Sequence, residues 1–159
     1  MAKKEIKTNA MRFLDQRKIP YQLTTYSCDH FVDGISVAEK LNQNPLQTFK
    51  TLVTQGKSGQ YYVFVIPVAA ELDMKKAART VGEKSVEMLP VKQIQAITGY
   101  IRGGCTPIGM KKSYPTVIAE QAARFGQIHI SGGRIGAQIT LNPADLARVL
   151  AASFANITM

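Results

Sequence analysis

The sequence predicts one mixed α/β domain, built on a curved mixed β-sheet or partial barrel of about seven strands flanked by helices. A chain of 159 residues is long enough for a single domain with a sizeable core. No repeat or Pro/Gly/Ser-rich linker interrupts it, so residues 1–159 are expected to form that one domain. The predicted helices are not spaced regularly between strands, which disfavours a doubly wound parallel sheet.

The helices are predicted from capping residues and apolar spacing. Asp73 is a predicted N-cap and Gly82 a predicted C-terminal stop for a helix over 74–81. Asn142 is expected to cap the last helix, with Pro143 at its first position. The remaining predictions are helices at 8–17, capped by Thr8 or Asn9, after Gly34 and Ser36, and at 91–98, closed by Gly99.

The strands are predicted from short apolar or alternating runs bounded by turn residues. "YYVFVIP" (61–67) is almost continuously apolar, which predicts a central strand buried on both faces. "TFKTLVT" (48–54) predicts its neighbour, because the turn sequence "GKSG" separates the two runs. The other predicted strands lie in "IPYQLTTY", "TVIAE", "QIHIS" and "QITL".

The charge balance favours an anionic partner. Lys and Arg number 20 against 11 Asp and Glu, which gives a net charge of +9. Such an excess attracts polyanions over long range, so nucleic acid is the first candidate, an acidic membrane surface the second, and a basic protein without such a partner the third alternative. The polar start and the lack of a run long enough to span a bilayer predict a cytoplasmic protein and no membrane partner.

Familiar catalytic patterns are missing from the sequence. GxSxG, HExxH and Walker motifs do not occur, so neither a metal nor a cofactor is expected. Cys28 and Cys105 form no CxxC motif; their spacing leaves a disulfide open, but reduced thiols are expected. Cys28 and His30 could form a loop pair, and His129 in "QIHIS" fits a structural role better than a catalytic one.

Two glycine-bearing loops are the more informative feature. Gly103 and Gly104 begin "GGCTPIG", and Gly132 and Gly133 begin "GGRIG". Glycine lets the backbone approach a ligand closely, so either loop could offer N–H groups to an anion or a developing oxyanion. Ordinary turns are the alternative explanation.

Basic side chains cluster near these loops and along one predicted helix. They are Lys75 and Lys76 with Arg79, Arg102, and the pair Lys111–Lys112 that closes the first glycine loop. Such charges suit a phosphate backbone, although most charge runs are simply solvated faces.

Lys50 is unusual because it lies inside a predicted strand. Its strand face carries Leu52 and Thr54, whereas Phe49, Thr51 and Val53 share the other face. Lysine is depleted from strands and rarely buried. Judged from its neighbours alone, Lys50 is predicted to be a solvated charge whose stem lies along the surface.

In order, the segments resemble the YbaK family of bacterial aminoacyl-tRNA deacylases, which is related to the editing domain inserted in prolyl-tRNA synthetases. The matching pieces span nearly the whole chain: "KTNAMRFLD", "FKTLV", "VFVIPVAAELDMKKAA", "TGYIRGGCTPIGMKK", "ISGG" and "NPADLARVL". The combination of "FKTLV" and "GGCTPIG" is the specific part. The resemblance implies a β-barrel-like mixed sheet and removal of wrongly attached cysteine from the tRNA for proline, beside prolyl-tRNA synthetase.

The resemblance also implies roles for particular residues. Lys50 falls on the family's lysine and would position the terminal adenosine or stabilise developing charge, so it is expected at the mouth of a pocket. The backbone of Gly103 and Gly104 would bind the carbonyl oxygen. Implied substrate contacts are Tyr26, Thr106, Pro107, Gly109, Ser131 and Gly132. Implied tRNA contacts are Lys75, Lys76, Arg102, Lys111, Lys112 and Arg134.

The chain departs from the family pattern at three positions. Ile135 follows Arg134 where many members have "KR", Gln138 stands where some members have an acid, and Thr106 replaces the usual serine. These differences bear on substrate preference more than on the reaction. The family reaction is assisted by the substrate thiol. The rival functions are a non-catalytic tRNA- or synthetase-binding regulator, and a deacylase for another amino acid such as alanine.

Overall fold

A computed structural model describes residues 7–27 and 33–159. Cys28 and His30, the predicted loop pair, lie outside the described residues. Over the described ranges, none of the helices combines the length and apolar character needed to cross a bilayer.

The described residues form five α-helices, and three of them begin at predicted capping residues, Thr8, Asp73 and Asn142. Thr8 accepts a hydrogen bond from the Met11 N–H at the first helix, and Asp73 accepts from the N–H groups of Lys75 and Lys76 at the third. The helices are α1 (Asn9–Gln16), α2 (Gly34–Lys40), α3 (Met74–Val81), α4 (Val91–Thr98) and α5 (Pro143–Leu150), with a 3-10 helix at Glu120–Arg124.

Eight strands form two sheets over the described ranges. The strands are β1 (Gln22–Thr25), β2 (Phe49–Gly56), β3 (Tyr61–Pro67), β4 (Val86–Met88), β5 (Thr116–Ala119), β6 (Ile128–Ser131), β7 (Ala137–Leu141) and β8 (Ser153–Ala155). One sheet has the order β1-β7-β6 and is antiparallel. The other has the order β4-β2-β3-β5-β8 and is mixed, because β5 and β8 run parallel to their neighbours.

The two sheets meet at the start of β2. A parallel bridge joins Thr48 to His129, and the His129 N–H donates to the Gln47 carbonyl at 3.1 Å. The described strands do not close into a barrel, so the predicted partial barrel corresponds to two adjoining sheets. This junction brings the end of β6 beside the strand that carries Lys50.

The core is built on β3 and β7. Phe64 and Ile66 are fully buried at the centre of the larger sheet, as the continuous apolar run predicted. Ile139 of β7 and Leu146 of α5 are equally buried and belong to the same apolar cluster. Burial of these side chains is the main favourable term that holds the two sheets and the helices together.

The prediction of about seven strands missed two short ones. β4 and β8 have three residues each, too few for a period of two to be recognised in the sequence. β8 joins β5 in parallel, and β6, β7 and α5 lie between them in the chain, so its pairing depends on contacts distant in the chain. The bounds of β3, α3 and α4 agree with the predicted ranges.

Candidate active site

A cavity of about 540 Å³ opens beside β2. Its wall brings together four of the predicted catalytic and substrate-binding residues: Lys50 on β2, Gly103 in the loop after α4, Ser131 at the end of β6, and Tyr26 directly after β1. These residues come from four separate parts of the chain, and the two adjoining sheets and the glycine loop place them around one space. A cavity of this size falls in the range of small-molecule sites.

Lys50 is half-buried and lines this cavity. The antiparallel register pairs Lys50 with Ile66, and Leu52 with Phe64, on the same sheet face. Backbone pairing with β3 continues to the start of the strand, where the Val68 N–H donates to the Thr48 carbonyl at 2.8 Å. The lysine backbone is therefore fixed, and the flexible stem alone determines where the ammonium lies.

The first glycine loop has a definite shape imposed by Tyr100. The buried Tyr100 hydroxyl donates to the Ile108 carbonyl at 2.6 Å and lies 3.3 Å from the Gly109 carbonyl. The Tyr100 N–H donates to the Thr98 hydroxyl oxygen at 3.0 Å, which ties the loop to the end of α4. Gly103 adopts a φ of 86°, in the left-handed region that favours glycine.

The two glycine loops pack directly against each other at Gly104. A Cβ atom added there would lie 2.9 Å from the Arg134 Cα, closer than real Cβ atoms approach backbone. The Gly104 N–H already donates to the Ile101 carbonyl at 3.0 Å, and the Gly132 N–H donates to the Ala137 carbonyl at 2.8 Å. Neither glycine lines the cavity. Their geometry suits packing between the loops, and Gly103 is the loop glycine on the cavity wall.

Three further residues predicted to bind substrate lie behind the wall. Thr106, Pro107 and Gly109 do not line the cavity, and Thr106 is completely buried. The Thr106 hydroxyl has no hydrogen-bond partner among the described residues. These residues shape the loop from within, whereas Gly103 and Cys105 are the loop positions that reach the cavity.

The floor of the cavity contains a closed pair of amides. Gln138 of β7 is 3% exposed and lines the cavity, and its amide exchanges two hydrogen bonds with Gln43, at 2.6 and 2.9 Å. The Thr48 hydroxyl lies 3.3 Å from the same Gln43 oxygen and 3.1 Å from the Asn44 carbonyl oxygen. Beside them, the Ser131 hydroxyl accepts from the Gly133 N–H at 3.2 Å. The floor is therefore polar but carries no charge of its own.

Cys105 is a cavity residue with a free thiol. Burial raises the pKa of this thiol to about 11, and a hydrogen bond with Thr98 offsets only part of the effect. A thiol with this pKa is protonated at neutral pH and is a poor nucleophile. None of the described residues that line the cavity is a histidine, and no group of three potential metal-binding side chains occurs over 7–27 and 33–159.

Of the six basic residues predicted to bind tRNA, Arg102 alone lines the cavity. Two others contact protein carbonyl groups: the Lys76 amine donates to the Thr158 carbonyl at 3.0 Å, and the Lys111 amine to the Ala96 carbonyl at 3.2 Å. Lys75 and Lys112 are exposed, and Arg134 is half-buried beside Gly104. A ligand that contacts all six basic residues would have to extend well beyond the cavity.

Sequence reasoning missed two components of the cavity. One is Asp33, which lines the cavity and caps α2. The sequence could have indicated this cap, because an Asp directly before a predicted helix is a common N-cap residue. The mouth also carries Ile35, Met88 and Val91, which are 44%, 46% and 54% exposed. Exposed apolar residues clustered at one opening mark a binding surface, but a linear sequence does not show which of its apolar residues remain exposed.

The sequence profile of the aminoacyl-tRNA editing domain matches residues 33–149. The chain belongs to this family. The matched region contains β2, both glycine loops and every described cavity residue except Tyr26.

A protein of Enterococcus faecalis (strain ATCC 700802 / V583), described as the Cys-tRNA(Pro)/Cys-tRNA(Cys) deacylase EbsC, is 48% identical over 99% of this chain and 98% of its own length. Solved structures agree on the fold. The crystal structure of the hypothetical protein APE2540 superimposes with a TM-score of 0.86 at 20% identity over 95% of this chain and 99% of that one. A structure described as a trans-editing enzyme for prolyl-tRNA synthetase gives 0.83 at 22% identity over 98% and 99%.

The contact between the glycine loops predicts the effect of a single methyl group. Gly104→Ala should lower the free energy of unfolding by about 1–3 kcal/mol, because the added Cβ meets Arg134 backbone that cannot move away cheaply. Urea unfolding followed by circular dichroism measures this. Gly126→Ala is the matched control, since a Cβ there has open space, and its stability should stay within about 1 kcal/mol of the wild type. Equal stability of the two variants would contradict the packing argument.

Proposed function

We propose that this protein removes wrongly attached cysteine from the tRNA for proline by cleaving the aminoacyl ester. The closely similar deacylase of E. faecalis and membership of the editing-domain family support this function. The single observation that carries the mechanism is a cavity with a lysine and a glycine loop on its wall; among its described lining residues there is no histidine, and the thiol of Cys105 is protonated at neutral pH.

The substrate end of the tRNA is an amino acid esterified to the terminal ribose. In the proposed complex, the terminal adenosine and its phosphate lie at the cavity mouth, where Lys50 and Arg102 supply positive charge. The apolar surface of Met88 and Val91 gives the adenine base a face to pack on. Basic side chains outside the cavity, including the exposed Lys75 and Lys112, are proposed to contact the acceptor stem.

The aminoacyl group then lies deeper, between the first glycine loop and the cavity floor. The N–H groups of Gly103 and Cys105 are the backbone donors that could face the ester carbonyl, since the Gly104 N–H is bound to Ile101. Tyr26 and Ser131 border the remaining space and would orient the cysteinyl group.

The reaction needs no nucleophile from the protein. The substrate thiol attacks its own ester carbonyl: a C–S bond forms, the C–O bond to the ribose breaks, and the thiol proton passes to the departing ribose hydroxyl. The products are deacylated tRNA and a cyclic thioester, which water hydrolyses to cysteine. Since the ester is already activated, orientation of the thiol and stabilisation of the carbonyl oxygen supply the acceleration.

Selection of the tRNA for proline is proposed to involve prolyl-tRNA synthetase. An editing protein that acts beside the synthetase would meet mischarged tRNA as it is released. The relevant relative is the solved structure described as a trans-editing enzyme for that synthetase, which shares this fold.

The function is tested by comparing two aminoacyl groups on the same tRNA. Cysteine and alanine are each charged on the tRNA for proline, and release of the labelled amino acid is followed under multiple turnover. We expect turnover of the cysteinyl ester and at least about a 100-fold slower rate for the alanyl ester, because alanine lacks the thiol that forms the new bond. Equal rates would favour attack by water, and stoichiometric binding without ester loss would favour a non-catalytic binding module.

Cys105 provides a second test, because among the described cavity residues it carries the thiol that could be mistaken for a nucleophile. Cys105→Ala should retain at least about half of the wild-type kcat/KM for the cysteinyl ester, since a thiol with a pKa near 11 is protonated at neutral pH. Steady-state kinetics at pH 7 measure this. Near-total loss of activity in a variant with unchanged unfolding behaviour would indicate a protein nucleophile.

A further inference from the structure

The substrate of the proposed reaction carries a charge that its binding site has to accommodate. Every aminoacyl ester has an α-ammonium one carbon from the scissile carbonyl, and Lys50 and Arg102 already make the cavity wall positive. A third cation placed among them would be repelled unless an anion lies nearby. The inference below rests on the proposed function and concerns how this ammonium is bound.

Asp33 is the carboxylate available for this purpose. Among the described residues that line the cavity, it is the only acidic side chain. One oxygen, Oδ1, accepts a hydrogen bond from the Ser36 N–H at 2.7 Å at the start of α2. An ionised carboxylate has further acceptor positions on both oxygens, so capping the helix leaves capacity for a ligand. The cap also fixes the carboxylate at the start of α2. Val37 of the same helix lines the cavity as well.

The electrostatic surroundings keep this carboxylate charged. Hydrogen bonds from the backbone and hydroxyl of Ser36 hold the pKa of Asp33 below its usual range, and the positive charge of Lys50 adds to the effect. Lys50 therefore lies within Coulombic reach of Asp33. Asp33 and Lys50 thus give the cavity lining one anionic and one cationic side chain, the charges that the ammonium and the phosphate of an aminoacyl nucleotide require.

Two neutral acceptors in the cavity are already engaged. The amide of Gln138 is closed in its reciprocal pair with Gln43, and the hydroxyl of Ser131 accepts from the Gly133 N–H. Neither group carries a negative charge. A cation is bound more strongly by an ionised acceptor than by a neutral one, so Asp33 is favoured over both.

We propose that Asp33 binds the α-ammonium of the aminoacyl group and thereby favours substrates that carry a free α-amine. A peptidyl or N-acylated ester carries an uncharged amide nitrogen at this position and gains nothing from the carboxylate. The cavity would then distinguish aminoacyl-tRNA from peptidyl-tRNA, whatever the amino acid.

The test uses two esters on the same tRNA for proline. One is cysteinyl, and the other is 3-mercaptopropionyl, which keeps the thiol and the ester but lacks the α-amine. Asp33→Asn should lower kcat/KM for the cysteinyl ester by about 10- to 100-fold and leave the value for the desamino ester within about twofold. Asparagine also caps helices, so α2 should be retained. Asp33→Ser is a second variant that keeps a capping side chain, and it should give the same pattern.

Asp73→Asn is the matched control. Asp73 also caps a helix through its carboxylate, at the start of α3, and does not line the cavity. Removing its charge should leave the ratio of the two kcat/KM values unchanged.

The outcomes separate this proposal from the function on which it rests. If the wild type does not cleave the cysteinyl ester, both proposals are wrong. If the wild type cleaves it and the Asp33 variants either keep full activity or lose activity equally on both esters, the proposed function stands and the role of Asp33 is refuted.

Discussion

The candidate site depends on the way β2 is held. Its pairing with β3 continues from Phe49 to Gln55, and β4 pairs with the far end of the same strand. At its start, the bridge between Thr48 and His129 joins it to the smaller sheet. A strand fixed at this many points can carry a half-buried lysine in one orientation. Without the junction of the two sheets, Ser131 and Lys50 would not share a cavity.

Packing of the two glycine loops is the second constraint. Gly104 has no room for a side chain because the Arg134 backbone lies against it. The Tyr100 hydroxyl fixes the rest of the first loop by its hydrogen bond to the Ile108 carbonyl. The chain thereby exposes Gly103 and Cys105 to the cavity and buries Thr106. Rigid backbone around a reacting carbonyl is what an activated ester requires, since its cleavage depends on orientation more than on a strong nucleophile.

The sequence predicted those parts of the fold whose signals are local. Helix ends are indicated by the capping residues Asp73, Asn142 and Gly99. The apolar run at 61–67 predicts a central strand. The short strands β4 and β8 depend on partners distant in the chain and were missed. For the site, the order of the motifs indicated Lys50 and Gly103. It could not show that the Gly104 N–H is bound to Ile101, or that Asp33 faces the same cavity, because both depend on how distant segments pack.

The central claim is that the ammonium of Lys50 acts directly on the bound aminoacyl-tRNA. The most direct measurement is the single-turnover rate of cysteinyl ester cleavage, with enzyme in excess, for Lys50→Ala and for Lys57→Ala. Lys57 is an exposed lysine in the turn after β2 and does not line the cavity. The account predicts that Lys50→Ala lowers the rate by about 100-fold or more with unchanged unfolding behaviour, while Lys57→Ala stays within about twofold of the wild type. A Lys50→Ala rate within about twofold of the wild type would contradict it.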